Sequence, residues 1–142
     1  MNNRDTLRIN EAGHLEIGGA DAVELAKTYG TPLYVMDEKY IRDMCSIYRD
    51  TIEQEYEGNG MVLYASKAFS CMAIYKIGAE EKIGIDVVSG GELFTAMKAG
   101  FPADRIYLHG NNKLLSELEY ALDCGVGTVV VDAYAEIDQL DA

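Results

Sequence analysis

Apolar and polar positions along this chain follow two different periods. Over residues 7–17, LRINEAGHLEI, the apolar residues Leu7, Ile9, Leu15 and Ile17 alternate with polar ones around an EAGH turn. A period of two predicts a β-hairpin with one apolar face. DAVELAKTYG then predicts a helix, with Asp21 as N-cap, Glu24 three residues on to close a capping box, and Gly30 at the end. TPLYVMD, residues 31–37, reads as a short extended run, because Pro32 pushes Thr31 towards β conformation. Asp37 caps a long helix in which Ile41, Met44, Cys45, Tyr48, Ile52 and Tyr56 share a stripe, stopped by Gly58 and Gly60.

From residue 61 one unit recurs four times. Apolar runs at 61–66, 83–89, 105–110 and 126–132 predict strands, and the stretches 70–81, 91–100, 114–125 and 133–142 predict helices. Strands that are apolar nearly throughout suit a parallel sheet with covered faces. Four successive strand–helix units predict a parallel α/β sheet with right-handed crossovers. Two architectures satisfy that pattern, an open doubly wound sheet or part of an eight-unit barrel. Four units do not close an eight-stranded barrel, and residue 142 falls at the fourth helix, so a longer parent chain is expected.

Composition narrows the setting. No run approaches the ~20 apolar residues of a membrane span, and MNNRDTLRIN has no signal-peptide core. A cytoplasmic protein with no membrane partner is expected. Net charge is −12, from 24 acidic against 12 basic residues, which disfavours a polyphosphate and so nucleic acid as a partner. Cys45, Cys71 and Cys124 are far apart, and His14 and His109 share no ligand spacing. Neither a disulfide framework nor a metal site is expected.

The candidate chemistry lies where the repeated strands end. Lys67, in VLYASKAFS, closes the first apolar run. Held there short of its hydration, its amine would deprotonate more readily and could condense with an aldehyde. The competing reading is a lysine that snorkels to water. Asp86 in GIDVVS is a charge inside an apolar strand and needs a partner, for which Lys67 on the adjoining strand is the candidate. SGGEL, residues 89–93, is either a phosphate cradle at a helix N-terminus or a tight turn capped by Ser89 and Glu92, and the latter is favoured. HGNNK, residues 109–113, is either a polar ligand wall or a loop with Asn112 as helix cap. Asp132 is expected to cap the last helix.

YASKAF, IDVVSGGELFTAMKAGFPADRIYLHGNNK and GVGTVVVDAYAEIDQL, in that order, resemble the N-terminal part of diaminopimelate decarboxylases. These belong to the alanine-racemase-like barrel enzymes that use pyridoxal 5'-phosphate. The resemblance implies an eight-unit (β/α) barrel, with residues 31–142 as its first half. It assigns residues 1–30 to a β-rich second domain. It implies that Lys67 holds the cofactor as a Schiff base and that Asp86 and His109 lie at the cofactor. It further implies a small amino-acid substrate, meso-2,6-diaminopimelate, decarboxylated to L-lysine for lysine biosynthesis. A homodimeric full-length enzyme is implied, with the isolated chain inactive. A non-catalytic pyridoxal-phosphate-binding or regulatory homologue, and a decarboxylase of another basic amino acid, are the alternatives. Two departures stand out. Phe69 follows Lys67-Ala68 where many members have Asn. Leu114 stands where a helix-opening Ser is common, a lost hydroxyl cap costing about 1 kcal/mol unless Asn112 or Ser116 replaces it.

Overall fold

The computed structural model describes residues 6–141. In it the chain folds as two compact units that divide between Met44 and Cys45. In the first unit, β1 (Leu7–Ile9) and β2 (Leu15–Ile17) pair antiparallel, with Leu7 opposite Ile17 and Ile9 opposite Leu15. This is the register that the alternation requires. Asn10 builds the turn, its side-chain oxygen accepting from the Ala12 and His14 N–H groups. A two-residue strand, β3 (Ala20–Asp21), completes the sheet. The apolar face of the hairpin stays open, for Leu7, Ile9 and Leu15 are exposed. The opposite face instead buries Glu16, which accepts from Arg8 Nε at 2.9 Å.

Asp21 is the N-cap of α1 (Ala22–Tyr29), as its position predicts, and accepts from the Val23 and Glu24 N–H groups. Its other oxygen bonds the His14 ring at 2.9 Å and the Asn10 amide at 2.8 Å. Glu24 turns to Lys27, at 2.7 Å. The hydrogen bond to His14, followed by those to Asn10 and the helix N–H groups, holds the Asp21 carboxyl down at about 2, against 3.8 for the free side chain. A folded-state value below the unfolded one means that this cap stabilises above about pH 3.8 and is lost as pH falls through about 2. A titration of the Asp21 carboxyl carbon by NMR should show a midpoint near 2, and His14→Ala should move it towards 3.8. An unshifted midpoint in the unsubstituted chain would contradict this network.

Residues 31–37 pair with no strand among the described residues. Extended backbone becomes a strand only with a neighbour to bond. Asp37 caps α2 (Glu38–Tyr56), accepting from the Tyr40 N–H at 3.0 Å. The predicted helix α2 forms, but its apolar stripe is not a core face: no residue of the helix is buried, and Tyr48 and Tyr56 are exposed.

The second unit settles the choice of architecture. Strands β4 (Leu63–Ala65), β5 (Gly84–Val87), β6 (Ile106–Leu108) and β7 (Thr128–Val129) form a parallel sheet in sequential order. Between them run α3 (Met72–Glu80), α4 (Gly90–Ala99) and α5 (Leu115–Cys124), and α6 (Tyr134–Asp141) follows β7. The last residue of the predicted 133–142 helix lies outside the described residues. A doubly wound sheet reverses its strand order and places helices on both faces. Here Ile85, Val87, Ile106 and Leu108 are at most 1% exposed and pack with Tyr75, Leu93, Ala96, Leu118 and Ala121 from the helices. The alternate positions Ala65, Asp86 and Tyr107 are only half-buried. Helices on one face of a sequential parallel sheet make the winding of a (β/α) barrel, of which these are four units. The inward face is tight at Gly84, where a Cβ would come within 2.6 Å of Leu63 Cδ2 and 2.8 Å of the Arg105 carbonyl oxygen.

Candidate functional site

Register assembles the site. Ala65, Asp86, Tyr107 and Thr128 lie level across the four strands. Side chains alternate along a strand, so Asp86 points to the face opposite the helices. Two residues past Ala65 and Tyr107 in sequence, just beyond the ends of β4 and β6, come Lys67 and His109. The chain leaves β4 through a 3-10 turn, Ser66–Ala68, in which Ser66 is 0% exposed and Lys67 is exposed. Lys67, Asp86 and His109 therefore occupy the carboxyl-end rim of three successive strands, where barrel enzymes place their chemistry.

Two expectations about this cluster are corrected. Lys67 is exposed rather than desolvated, because the strand ends two residues before it and the turn carries its side chain clear of the ladder. Nor does it pair with Asp86. The carboxylate turns to the neighbour on its other side, with Oδ2 3.7 Å from His109 Nδ1. That separation is too long for a hydrogen bond but lies within ion-pair range. Asp86 Oδ1 is out of contact with water and has no hydrogen-bond partner among the described residues. A buried carboxylate oxygen left without a donor is costly, which marks it as a place where a ligand donor fits. The turn after Lys67 is pinned by Tyr64 Oη donating to the Phe69 carbonyl at 3.0 Å and by a 2.8 Å bond between Ser70 and Tyr75. Phe69 is thus held through its backbone, whatever its side chain. Burial raises the Tyr64 phenol above its ordinary value.

The glycine pair of SGGEL forms the capped turn. Ser89 Oγ accepts from the Glu92 N–H, Glu92 accepts from the Val88 N–H at 2.8 Å, and Glu117 accepts from the Gly90 N–H at 2.6 Å. Two carboxylates fill this helix start and would repel a phosphate there.

HGNNK divides. His109 reaches the rim, but neither Asn112 nor Ser116 caps α5. Leu114 occupies the cap position, and its N–H donates to Glu117 Oε2 at 3.0 Å. Nor does Asp132 cap α6, which begins at Tyr134 and so puts Ala133 at that position. Lys113 is buried, its side chain 2% exposed, and bonds the Gly110 carbonyl at 2.5 Å and both oxygens of Glu136 at 3.0–3.1 Å. Glu136 also accepts from the Asp132 N–H at 3.0 Å. That bond first, and Lys113 second, hold its carboxyl below the usual range.

Sequence reasoning named Glu92 beside Ser89 but missed Glu117 and Glu136, although a signal was present. The first turns of α4, α5 and α6 each carry a glutamate, Glu92, Glu117 and Glu136. Each of these accepts a loop N–H three or four residues back; for Glu117 the donor is the cap residue itself, the return half of a capping box, and for Glu92 and Glu136 it is the residue before the cap.

The chain's similarities agree with this geometry. Residues 42–142 match the family model described as pyridoxal-dependent decarboxylase, pyridoxal binding domain. The chain is 50% identical over 137 residues to a diaminopimelate decarboxylase of Bacillus methanolicus, covering 96% of this chain and 32% of that protein. It is 50% identical over 139 residues to the one of Bacillus subtilis, covering 96% and 31%. The crystal structure of a diaminopimelate decarboxylase from M. jannaschii superposes with a TM-score of 0.86 at 34% identity, over 99% of this chain and 33% of that one. A further structure of that enzyme, in complex with L-lysine, also gives 0.86, at 35% identity and the same coverage. The chain thus spans about a third of the length of the relatives it matches. With the barrel winding and the carboxyl-end rim in place, a match over residues 42–142 means that the chain belongs to the pyridoxal-dependent decarboxylase family, through its pyridoxal-binding domain.

Proposed function

We propose that this chain carries the cofactor lysine, Lys67, of an enzyme that decarboxylates meso-2,6-diaminopimelate to L-lysine. The observation that carries the reading is the rim itself: an exposed primary amine on one strand end, beside a carboxylate with an unpartnered oxygen on the next. Relatives named diaminopimelate decarboxylase at 50% identity, and a structural neighbour bound to L-lysine, support the substrate.

The residues present fit pyridoxal 5'-phosphate. Lys67 Nζ supplies the nucleophile for its aldehyde, and Asp86 Oδ1 supplies an acceptor for a donor brought by the ligand. When bound, the cofactor supplies an electron sink for the pair left behind as carbon dioxide departs. The Lys67 amine must lose a proton to bond an aldehyde, and Asp86 and His109 are the groups on the rim able to take it. His109, 49% exposed, can pass that proton on to solvent.

Residues 31–142 belong in this reading to the first half of the barrel, and residues 1–30 go with a β-rich second domain. The open apolar face of Leu7, Ile9 and Leu15 supports that placement. The full-length enzyme is read as a cytoplasmic homodimer acting on a small amino acid and not on nucleic acid. Among the described residues no helix is long and apolar enough to cross a membrane.

The test is chemical capture. The chain is mixed with pyridoxal 5'-phosphate, reduced with borohydride, digested and mapped by mass spectrometry. The phosphopyridoxyl mass is expected on the peptide containing Lys67, and meso-diaminopimelate added before reduction is expected to remove it. A Lys67 peptide that never carries the mass would end the reading. Label that diaminopimelate leaves in place would favour a non-catalytic carrier of the cofactor.

A further inference from the structure

We propose that Lys113 and Glu136 are a positioning pair for His109, making the site's third strand end dependent on the docking of the fourth unit. Buried ion pairs are weak evidence of stability, so the question is what this one holds.

Lys113 donates to three acceptors: the Gly110 carbonyl and the two oxygens of Glu136. Its side chain is 2% exposed and that of Glu136 is 9% exposed. Gly110 directly follows His109, and its φ of 117° is a conformation that glycine alone adopts readily. On its other side the His109 N–H donates to the Val87 carbonyl at 2.8 Å, continuing the sheet. His109 is therefore clamped from both directions, by β5 through its own N–H and by Lys113 through the next carbonyl. Only between these holds does the half-exposed ring come to 3.7 Å from Asp86.

Glu136 brings in the next unit. Its Oε2 also accepts from the Asp132 N–H, in the loop that leaves β7 for α6. The path from α6 to the rim runs Glu136, Lys113, Gly110 carbonyl, His109, Asp86. Among the described residues no side chain but Lys113 holds the Gly110 carbonyl, and without it the imidazole is free to swing from the carboxylate.

The importance of His109 for a cofactor rests on the function proposed above, so the test uses no cofactor. In the unsubstituted chain Asp86→Asn is expected to shift the His109 ring-nitrogen resonances. In the double variant Lys113→Met, Glu136→Leu, which orphans neither charge, the same Asp86→Asn change is expected to lose most of that effect. Protection of the His109 amide from exchange reports that the sheet bond to Val87 persists. Should the double variant fail to fold, Glu136→Gln reads the same coupling, and there the shift is expected to be at least halved. A shift of unchanged size in a folded variant would overturn the proposal, as would the absence of any Asp86→Asn effect in the unsubstituted chain. Failure of borohydride capture at Lys67 is a separate result and bears on the cofactor reading alone.

Discussion

Lys67→Ala is expected to abolish the fast-forming phosphopyridoxyl label, and Asp86→Asn to slow its formation on Lys67 about tenfold, less than the 10²–10⁴-fold of an acid–base group in a closed site. Exposure alone does not single out Lys67, since Lys76 and Lys82 are exposed too. Other lysines carry partners: Lys27 pairs with Glu24, Lys39 with Asp43, Lys113 with Glu136, and Lys98 lies over the Phe94 ring. A carboxylate bonded directly to an ammonium stabilises the protonated form and slows attack on an aldehyde. Among the described residues no carboxylate bonds Lys67 directly, yet a carboxylate and an imidazole stand on the same rim, able to accept the proton once it leaves. Rate, and not mere labelling, is therefore the discriminating quantity. A time course of peptide mapping with the aldehyde below stoichiometric amounts measures it. Label spread evenly over Lys67, Lys76 and Lys82 would mean that the rim contributes nothing, and Asp86→Asn would then leave the Lys67 rate unchanged.

The contrast between what the residues announce and what they conceal has physical causes. The hairpin register was legible because a period of two leaves one way to align Leu7 with Ile17 and Ile9 with Leu15. The four strand–helix units were legible because apolar runs bounded by glycine and acidic caps recur. The choice between doubly wound sheet and barrel was not legible from the pattern, since both use the same unit. It turns on strand order, which is set by long-range pairing. The partner of Asp86 was misjudged for a related reason: a strand has two neighbours, and local sequence does not say to which one a side chain leans. Asp86 leans to His109. Cap positions failed where a glutamate in the first turn fixes the helix start by accepting from an N–H before it, as Glu117 does from Leu114 and Glu136 from Asp132. A helix start has several orphan N–H groups, and a side chain from either direction satisfies them.

The one-sided core makes stability the sharpest test of the fold. Leu93 on α4 is 0% exposed and sits in the cluster with Tyr75, Ile85, Val87 and Leu118. Leu93→Ala is expected to cost about 3–4 kcal/mol, within the range for a buried leucine whose site cannot collapse. A domain of this size is stable by only roughly 5–15 kcal/mol, and a sheet covered on one face should lie at the low end. The substitution therefore removes most of the margin, and the denaturant midpoint should fall with little change in slope. The next residue is the control. Phe94 is larger but 53% exposed, with Lys98 5.4 Å from its ring centre. Phe94→Ala should cost less than about 1 kcal/mol, the loss of a surface contact and a weak cation–π attraction. Neighbours on a helix point about 100° apart, so the two effects report directly which way α4 faces. Equal costs, or a larger one at Phe94, would mean that α4 is rotated on the sheet. The register that brings Lys67, Asp86 and His109 to one rim would then lose the helix layer that identifies the opposite face as the inward one.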